Sequence, residues 1–476
     1  MLQVILQELN RFITWFDQVV WGPPLIILIL STGIYLSVRM GFLQIRHLGK
    51  ALKFMVKNEN GGNGEVTSFG ALCTAMSATI GTGNIVGVAT ALAAGGPGAL
   101  FWMVLAAFFG MATKYAEGVL AIKYRTIDGG RPCAGRTILL YRKRHGSQME
   151  VAGQNLRVLR SRRGPSGDWY LLPQVNGISS AVCNFFDPEK TNTISVFGGS
   201  YSIATVIAGL ILTVCVGLVI IGGLKRIAQV SQIVVPFMAV LYFGFAFIIL
   251  VTHLGAIPAA VVSIVKSRLF RQCAGRRSHG YHDRCHAEGI ARGIFSNEAG
   301  LGSAPIAAAA AQTKSPVRQG LVSMTGTFID TIVICTMTGL SIVVTGTWNT
   351  GLEGVAITTA AFQKGLPFPP VVASVVLMVC LVFFAFTTIL GWNYYGERCI
   401  EYLFNRNRKV VRGYRWLYIL AIFIGPYMTV QAVWNIADIF NALMAFPNLI
   451  ALAALSRVVF AETKAYFGNA DDVKKI

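Results

Sequence analysis

Apolar residues in this chain gather into long runs, and the polar residues gather between them. Ten runs approach the roughly twenty residues a helix needs to cross a bilayer: Val19–Val38, Thr67–Ala93, Ala99–Ile122, Ile203–Gly222, Val230–Val251, Gly289–Gln312, Leu321–Thr345, Val371–Asn393, Trp416–Ala432 and Ile436–Leu455. Alternating ten-residue strands are absent, so a closed β-barrel is not indicated. Within hydrocarbon only helices and closed barrels satisfy their own backbone, and the pattern predicts an all-α polytopic membrane protein.

Composition agrees. Of 476 residues 54% are hydrophobic and 13% charged, too little charge to disperse a soluble domain of this size. Fifty glycines fit close helix packing and broken helices better than a loop-rich fold. The first twenty residues are amphipathic, without the basic start and small-residue cleavage site of a signal peptide. Cys73, Cys183, Cys215, Cys335 and Cys380 lie in or beside apolar runs and read as small packing residues.

A net charge of +20 would suit a nucleic-acid binder, but in a membrane chain it points first to basic cytoplasmic loops. Three connections carry them: Arg39, Arg46, Lys50, Lys53 and Lys57; Lys225 and Arg226; and Arg406, Arg408, Lys409, Arg412 and Arg415. Ten spans cannot place all three on one side. An eleventh crossing between Ile122 and Ile203 would, with the N-terminus outside and the C-terminus in the cytoplasm.

Two spans are not ordinary helices. Thr67–Ala93 contains Ser77-Ala78-Thr79-Ile80-Gly81-Thr82-Gly83-Asn84 at mid-depth, and Gly289–Gln312 contains Phe295-Ser296-Asn297-Glu298-Ala299-Gly300-Leu301-Gly302-Ser303. Glycine costs about 1 kcal/mol per helical position relative to alanine, so these clusters favour unwinding. An unwound segment frees carbonyls for a cation, and the half-helix N-terminus beyond it faces a carboxylate. Small-residue helix packing is the competing reading. It accounts poorly for two clusters that each centre on a polar Asn or Glu.

At these residues the chain resembles the alanine/glycine:cation symporter family. The strings are GTGNIVGVATALAAGGPGALFWM (Gly81–Met103), KYAEGVLA (Lys114–Ala121), RGIFSNEAGLGSAP (Arg292–Pro305), FIDTIVICT (Phe328–Thr336) and FAFTTILGWNYYGER (Phe384–Arg398). The resemblance runs from Trp21 to about Leu455. It implies one transmembrane domain over 1–476, with a LeuT-like inverted five-helix repeat plus one extra N-terminal helix, about eleven transmembrane helices in all. The two broken spans become the first and sixth helices of the repeat.

The resemblance also implies a site. Thr79, Gly81, Thr82 and Gly83 would offer groups to a substrate carboxylate, with Phe295, Ser296 and Asn297 as the opposing wall. Gln174 would reach in from the fourth span, while Thr388 and Trp392, a helical turn apart, would close the pocket around a methyl or hydrogen side chain. Carbonyls of Ser77 and Ile80 with hydroxyls of Thr387 and Thr388 would form a sodium site, and Asn84 would support the turn or a second ion. Adjacent threonines alone would read as backbone-bonded packing residues. Intramembrane Glu117, Glu298, Asp330 and Asp438 are further candidates, Glu298 foremost because it lies in a break.

Two stretches do not belong. Arg131–Leu172, where the missing span should be, carries nine basic and two acidic residues, and Arg268–Glu288 carries five and two. Together they hold half of the net charge and His145, His279, His282 and His286. Cys273, His279, His282, Cys285 and His286 imitate a metal cluster, but this arginine block would sit on the outer face, against the positive-inside bias. Both 131–172 and 268–288 are expected to be read in a shifted codon frame. One codon choice for Arg136–Gly146, read a base later, spells GPFSYIEKGMG, close to the family's usual string.

The resulting expectation is sodium-coupled symport of a small neutral amino acid, alanine or glycine, across the cell inner membrane. Proton coupling, another small zwitterion, or a transport-defective copy are the alternatives. A channel would need a continuous polar lining, and an enzyme would show a motif such as GxSxG, HExxH or a Walker loop, none of which is present. No organic cofactor, nucleic acid or obligatory protein partner is expected beside the substrate, sodium and the bilayer.

Overall fold

A peptide in hydrocarbon must satisfy its hydrogen bonds within its own segment, and the apolar runs accordingly become helices. The computed structural model describes residues 8, 11–16, 19–57, 64–128, 131–133, 171–189, 191–196, 199–267, 281–404, 407–428 and 430–468. Helix α1 (Pro23–Arg39) opens on a proline, whose missing N–H is no loss in a first turn. A short α2 (Leu48–Val56) follows. Then comes a broken span: α3 (Ser68–Thr79), capped by the Thr67 hydroxyl, and a π-helical turn (Gly83–Gly87) that leads into α4 (Val88–Gly95). The two halves are bent by 51°.

Helix α5 (Gly98–Lys123) precedes α6 (Leu171–Phe186), α7 (Ile203–Ile221), α8 (Leu224–Thr252) and α9 (Ile257–Ser267). The second broken span is α10 (Tyr281–Asn297) and α11 (Ala304–Ala308). Next come α12 (Pro316–Thr327), a π-helical stretch (Phe328–Cys335) and α13 (Thr336–Thr345), which run on as one span. Helices α14 (Val355–Gly365), α15 (Pro370–Leu403), α16 (Arg408–Ile424) and α17 (Val430–Gly468) complete the bundle. Two small hairpins, β1 (Thr126–Asp128) with β2 (Arg131–Cys133) and β3 (Thr193–Val196) with β4 (Gly199–Ser202), lie between helices.

Six described helices are long and apolar enough to cross a membrane, and the bent first pair makes a seventh. Their outer faces are greasy: Ile207, Leu210, Ile211, Val214 and Leu218 on α7 and Ile233, Phe237, Val240 and Phe247 on α8 are all exposed. In water such stripes would aggregate; in a bilayer they meet lipid. Inside, small residues bring backbones together. A methyl group on Gly118 of α5 would come within 3.0 Å of Gly320 Cα on α12, so only glycine permits this crossing.

Some expected bounds move. The run Trp416–Ala432 is not one helix, because α16 stops at Ile424 where Gly425-Pro426 enters a 3₁₀ turn. The run Ile436–Leu455 is the middle of the longer α17, which continues as an amphipathic tail to Gly468. Of the two anomalous stretches, Arg131–Cys133, Leu171–Leu172 and the 281–288 turns of α10 are described. The rest of each stretch, 134–170 and 268–280, lies outside the described residues, and so do the expected eleventh crossing and shifted frame.

Candidate functional site

The first break begins at Ile80, whose backbone is extended (φ −76°, ψ 97°) and can no longer extend the helix. Its carbonyl, released from the ladder, accepts the Thr388 hydroxyl of α15 at 3.0 Å. The Gly81 N–H donates to the Asn84 side-chain oxygen at 2.9 Å, and the Thr82 N–H donates to Gln174 Oε1 of α6 at 2.9 Å. Two orphaned amides are thus satisfied by side chains, which is what makes an unwound turn tolerable in hydrocarbon.

Close approach explains the glycines here. A methyl on Gly81 would lie 2.4 Å from Thr388 Oγ1 and 2.8 Å from Gln174 Oε1, and one on Gly391 would lie 2.6 Å from the Ala78 nitrogen. On the other flank, a methyl on Gly83 would meet Phe295 Cδ1 at 3.1 Å and Ser296 Cα at 3.3 Å. The two breaks therefore stand back to back.

The second break follows Asn297. Glu298, Gly300 and Gly302 all take left-handed backbone conformations (φ 55°, 88° and 76°). Glycine adopts that region without cost, whereas Glu298 bears a strain of about 1–2 kcal/mol. The Asn297 side-chain oxygen accepts the Ala299 N–H at 2.9 Å, and its amide donates to Thr331 Oγ1 at 3.1 Å.

Asp330 holds both breaks together. It accepts from Asn84 Nδ2, Ser296 Oγ and Thr331 Oγ1, each at 2.7 Å, and it is fully buried. Three donors on one carboxylate offset much of the cost of removing it from water.

The remaining expected residues are also placed. Ser77 and Thr79 donate back to the carbonyls of Thr74 and Met76 on their own helix. Thr387 turns to the Phe383 and Phe384 carbonyls and to Met238 Sδ, so of the two adjacent threonines Thr388 is the one bonded to the break. The Thr82 hydroxyl is buried without a partner among the described residues. Trp392 is buried with its ring centre 5.7 Å from that of Tyr395. Every expected site residue is buried, Thr79 being the most open of the non-glycine ones at 6%.

Of the residues that imitate a metal cluster, Cys273, His279 and the His282 side chain lie outside the description. Cys285 is buried, and the His286 ring packs edge-on to Trp102 at 4.4 Å. Among the described residues no three His, Cys, Asp or Glu gather around a common point.

Sequence reasoning missed Lys114. It is buried on α5, and its Nζ donates to the Asn297 carbonyl at 2.8 Å, a cation at the C-terminal end of α10 where the helix dipole favours it. A lone lysine inside an apolar span was the available signal.

Buried ion pairs tie both broken spans to their neighbours. Arg292 of α10 grips Asp438 of α17 at 2.5 Å, and the Trp21 indole N–H donates to the Asp438 carbonyl at 2.8 Å. Arg398 of α15 pairs with Glu65, just before α3, and with Glu401 at 3.1 Å. Removing one partner of a buried pair strands the other charge. Arg398→Gln should therefore raise the rate at which a thiol reagent modifies buried Cys73, in the second turn of α3, by about tenfold, the factor corresponding to ~1.4 kcal/mol. Peptide mass spectrometry at Cys73 would read this out, and an unchanged rate would mean that the pair does not hold the start of α3 in place.

Comparison with known proteins gives a consistent result. Residues 6–475 match the profile of the sodium:alanine symporter family. The sodium/alanine symporter AgcS of Methanococcus maripaludis is 44% identical over 455 residues, covering 94% of this chain and 95% of that one. An uncharacterized transporter of Haemophilus influenzae is 47% identical over 464 residues, covering 96% of each. The crystal structure of MhsT in complex with L-phenylalanine, at 13% identity, superposes with a TM-score of 0.53 over 85% of this chain and 100% of that one. MhsT has the LeuT fold, and at that identity the likeness concerns the fold alone.

Proposed function

The chain belongs to the sodium:alanine symporter family, and from that premise we propose that it carries alanine or glycine across the cell inner membrane with sodium, by alternating access. It is a multi-pass membrane transporter of small amino acids with the LeuT fold, and not an enzyme. One observation carries the finer reading: Gly81 is wedged between Thr388 and Gln174 while Gly83 abuts the opposite break.

In this reading the substrate carboxylate sits at the positive end of the Gly83–Gly95 half-helix, taking the Gly83 N–H and displacing the Asn84 and Gln174 oxygens from the N–H groups of Gly81 and Thr82. The unpartnered Thr82 hydroxyl supplies a further donor, and Thr79 and Gln174 line the approach. Phe295, Ser296, Asn297 and Trp392 face it and leave room for a methyl group or a hydrogen. Sodium takes the carbonyls of Ser77 and Ile80 with the hydroxyls of Thr387 and Thr388, and Asn84 fixes the turn that presents them. Oxygen donors of this kind suit a hard cation. Bound sodium favours one arrangement of the break, and coupling follows because substrate affinity differs between arrangements.

With the N-terminus outside and the C-terminus in the cytoplasm, the Arg398–Glu65 pair is the inner closure and Arg292–Asp438 the outer. The stretches 131–172 and 268–288 are proposed to be shifted-frame copies of family sequence, a reading that an uninterrupted gene without compensating insertions or deletions would overturn.

Uptake of labelled alanine into proteoliposomes, with and without a sodium gradient, tests the function, using the chain as written and a frame-restored chain. Sodium-driven uptake is expected from the frame-restored chain. Uptake indifferent to sodium would reject the coupling ion, and no uptake from the frame-restored chain would reject the substrate.

A further inference from the structure

We propose that Glu117 and Glu298 together hold one exchangeable proton, a second coupling ion bound apart from the sodium site. The pair lies beside the second break: Glu117 is on α5, and Glu298 directly follows Asn297 of the proposed substrate wall. Glu117 Oε1 accepts the Gly302 N–H at 3.1 Å and Asn448 Nδ2 of α17 at 2.7 Å, and Glu298 Oε2 accepts the Ser303 hydroxyl at 2.5 Å. Their other oxygens, Glu117 Oε2 and Glu298 Oε1, are buried without a hydrogen-bond partner among the described residues. The Gly300 amide N–H also faces Glu117.

Charge counting gives the reason. Lys114, one turn from Glu117, acts electrostatically on both carboxylates and on Asp330. Glu117 and Glu298 thus share a single ammonium on which Asp330 also draws, and a proton on the pair reduces the excess of buried negative charge. Asp330, the other charged group acting on Glu298, has three donors of its own and needs no share in it. From α15 the buried Tyr395 hydroxyl, also without a hydrogen-bond partner among the described residues, is near enough to feel both glutamates, and Asn448 on α17 is neutral.

A metal ion fits badly. The groups around the pair are donors — an ammonium, a backbone N–H, an amide and a hydroxyl — whereas a metal needs acceptors. A proton needs only one bare carboxylate oxygen. It would add to that oxygen from water on the open side and return to water when the break reopens. The same residues tie the break to its surroundings, since Asn448 also donates to the Gly300 carbonyl at 2.9 Å. Movement of the break therefore changes the environment of the proton.

Infrared spectra of the full-length protein in lipid test the site without any transport. A protonated-carboxyl band should be present at neutral pH, shift in heavy water, disappear as pH is raised, and weaken in both Glu117→Gln and Glu298→Gln. Ser303→Ala, which keeps both carboxyls, should move the pH at which the band is lost. No such band, or one that neither glutamine variant nor Ser303→Ala alters, overturns the proposal. The coupling role alone rests on the transport reading above. Alanine and sodium added together outside proteoliposomes that contain a pH-sensitive dye should produce a pH change that Glu298→Gln slows at least about tenfold. If uptake itself fails, the transport reading falls while the band still decides the site. If uptake proceeds with no pH change, the coupling role is overturned.

Discussion

Sodium-driven alanine uptake should fall about a hundredfold when Gly81 is replaced by alanine, the scale on which a displacement near 1 Å costs a positioned site. The added methyl would sit 2.4 Å from Thr388 Oγ1 and 2.8 Å from Gln174 Oε1. Neither neighbour can step aside freely. Thr388 is bonded to the Ile80 and Phe384 carbonyls, and Gln174 holds the Thr82 N–H. Relieving the clash means moving the carbonyl assigned to sodium or the amide assigned to the substrate carboxylate. Overpacking of this kind costs about 1–3 kcal/mol of stability, so the variant should still fold, and its uptake can be compared at equal protein. Gly413→Ala, with nothing within 4 Å of the new methyl, is the control. Uptake by Gly81→Ala within twofold of the parent would show that this junction is not where the cargo binds.

Asp330→Ala should act on the fold itself. It strands three buried donors, from Asn84, Ser296 and Thr331, and each buried donor left without a partner costs about 1–3 kcal/mol. Some relief is available, because Asn84 Nδ2 also reaches the Asp330 carbonyl at 3.1 Å and Ser296 Oγ lies 3.2 Å from Cys335 Sγ. A net loss of about 3–5 kcal/mol is expected, in line with breaking other buried charged networks. Asp330→Asn keeps one acceptor and turns an amide toward the donors, so it should lose roughly half as much. Denaturant unfolding in detergent reads both. An alanine variant as stable as the parent would mean that Asp330 does not hold the two broken helices together.

Much of the site was legible because its signals are local. A glycine cluster at mid-depth in an apolar run announces a break wherever the helix goes, and strings such as GTGN and SNEAG carry the family resemblance with them. The threonine pair was only half legible. Thr387 and Thr388 differ by one step of a helix with 3.6 residues per turn, and the rotation of α15 against α3 turned one hydroxyl to the Ile80 carbonyl and the other to Met238. Lys114 and the carbonyl it caps lie 183 positions apart, and no window on the chain contains both.

The sequence by itself determined that this is a helical membrane protein, that two of its spans are interrupted, and which family it resembles. Run length, glycine content and motif identity are properties of short segments, and the bilayer acts on segments. Only the tertiary structure decided which oxygens meet: that Asp330 bridges both breaks, that Arg398 pairs with Glu65 and Arg292 with Asp438, and that Glu117 and Glu298 each keep an oxygen without a partner among the described residues. Those contacts depend on how each helix is rotated and how deeply it is seated against its neighbours, which the packing of small residues settles across the whole bundle.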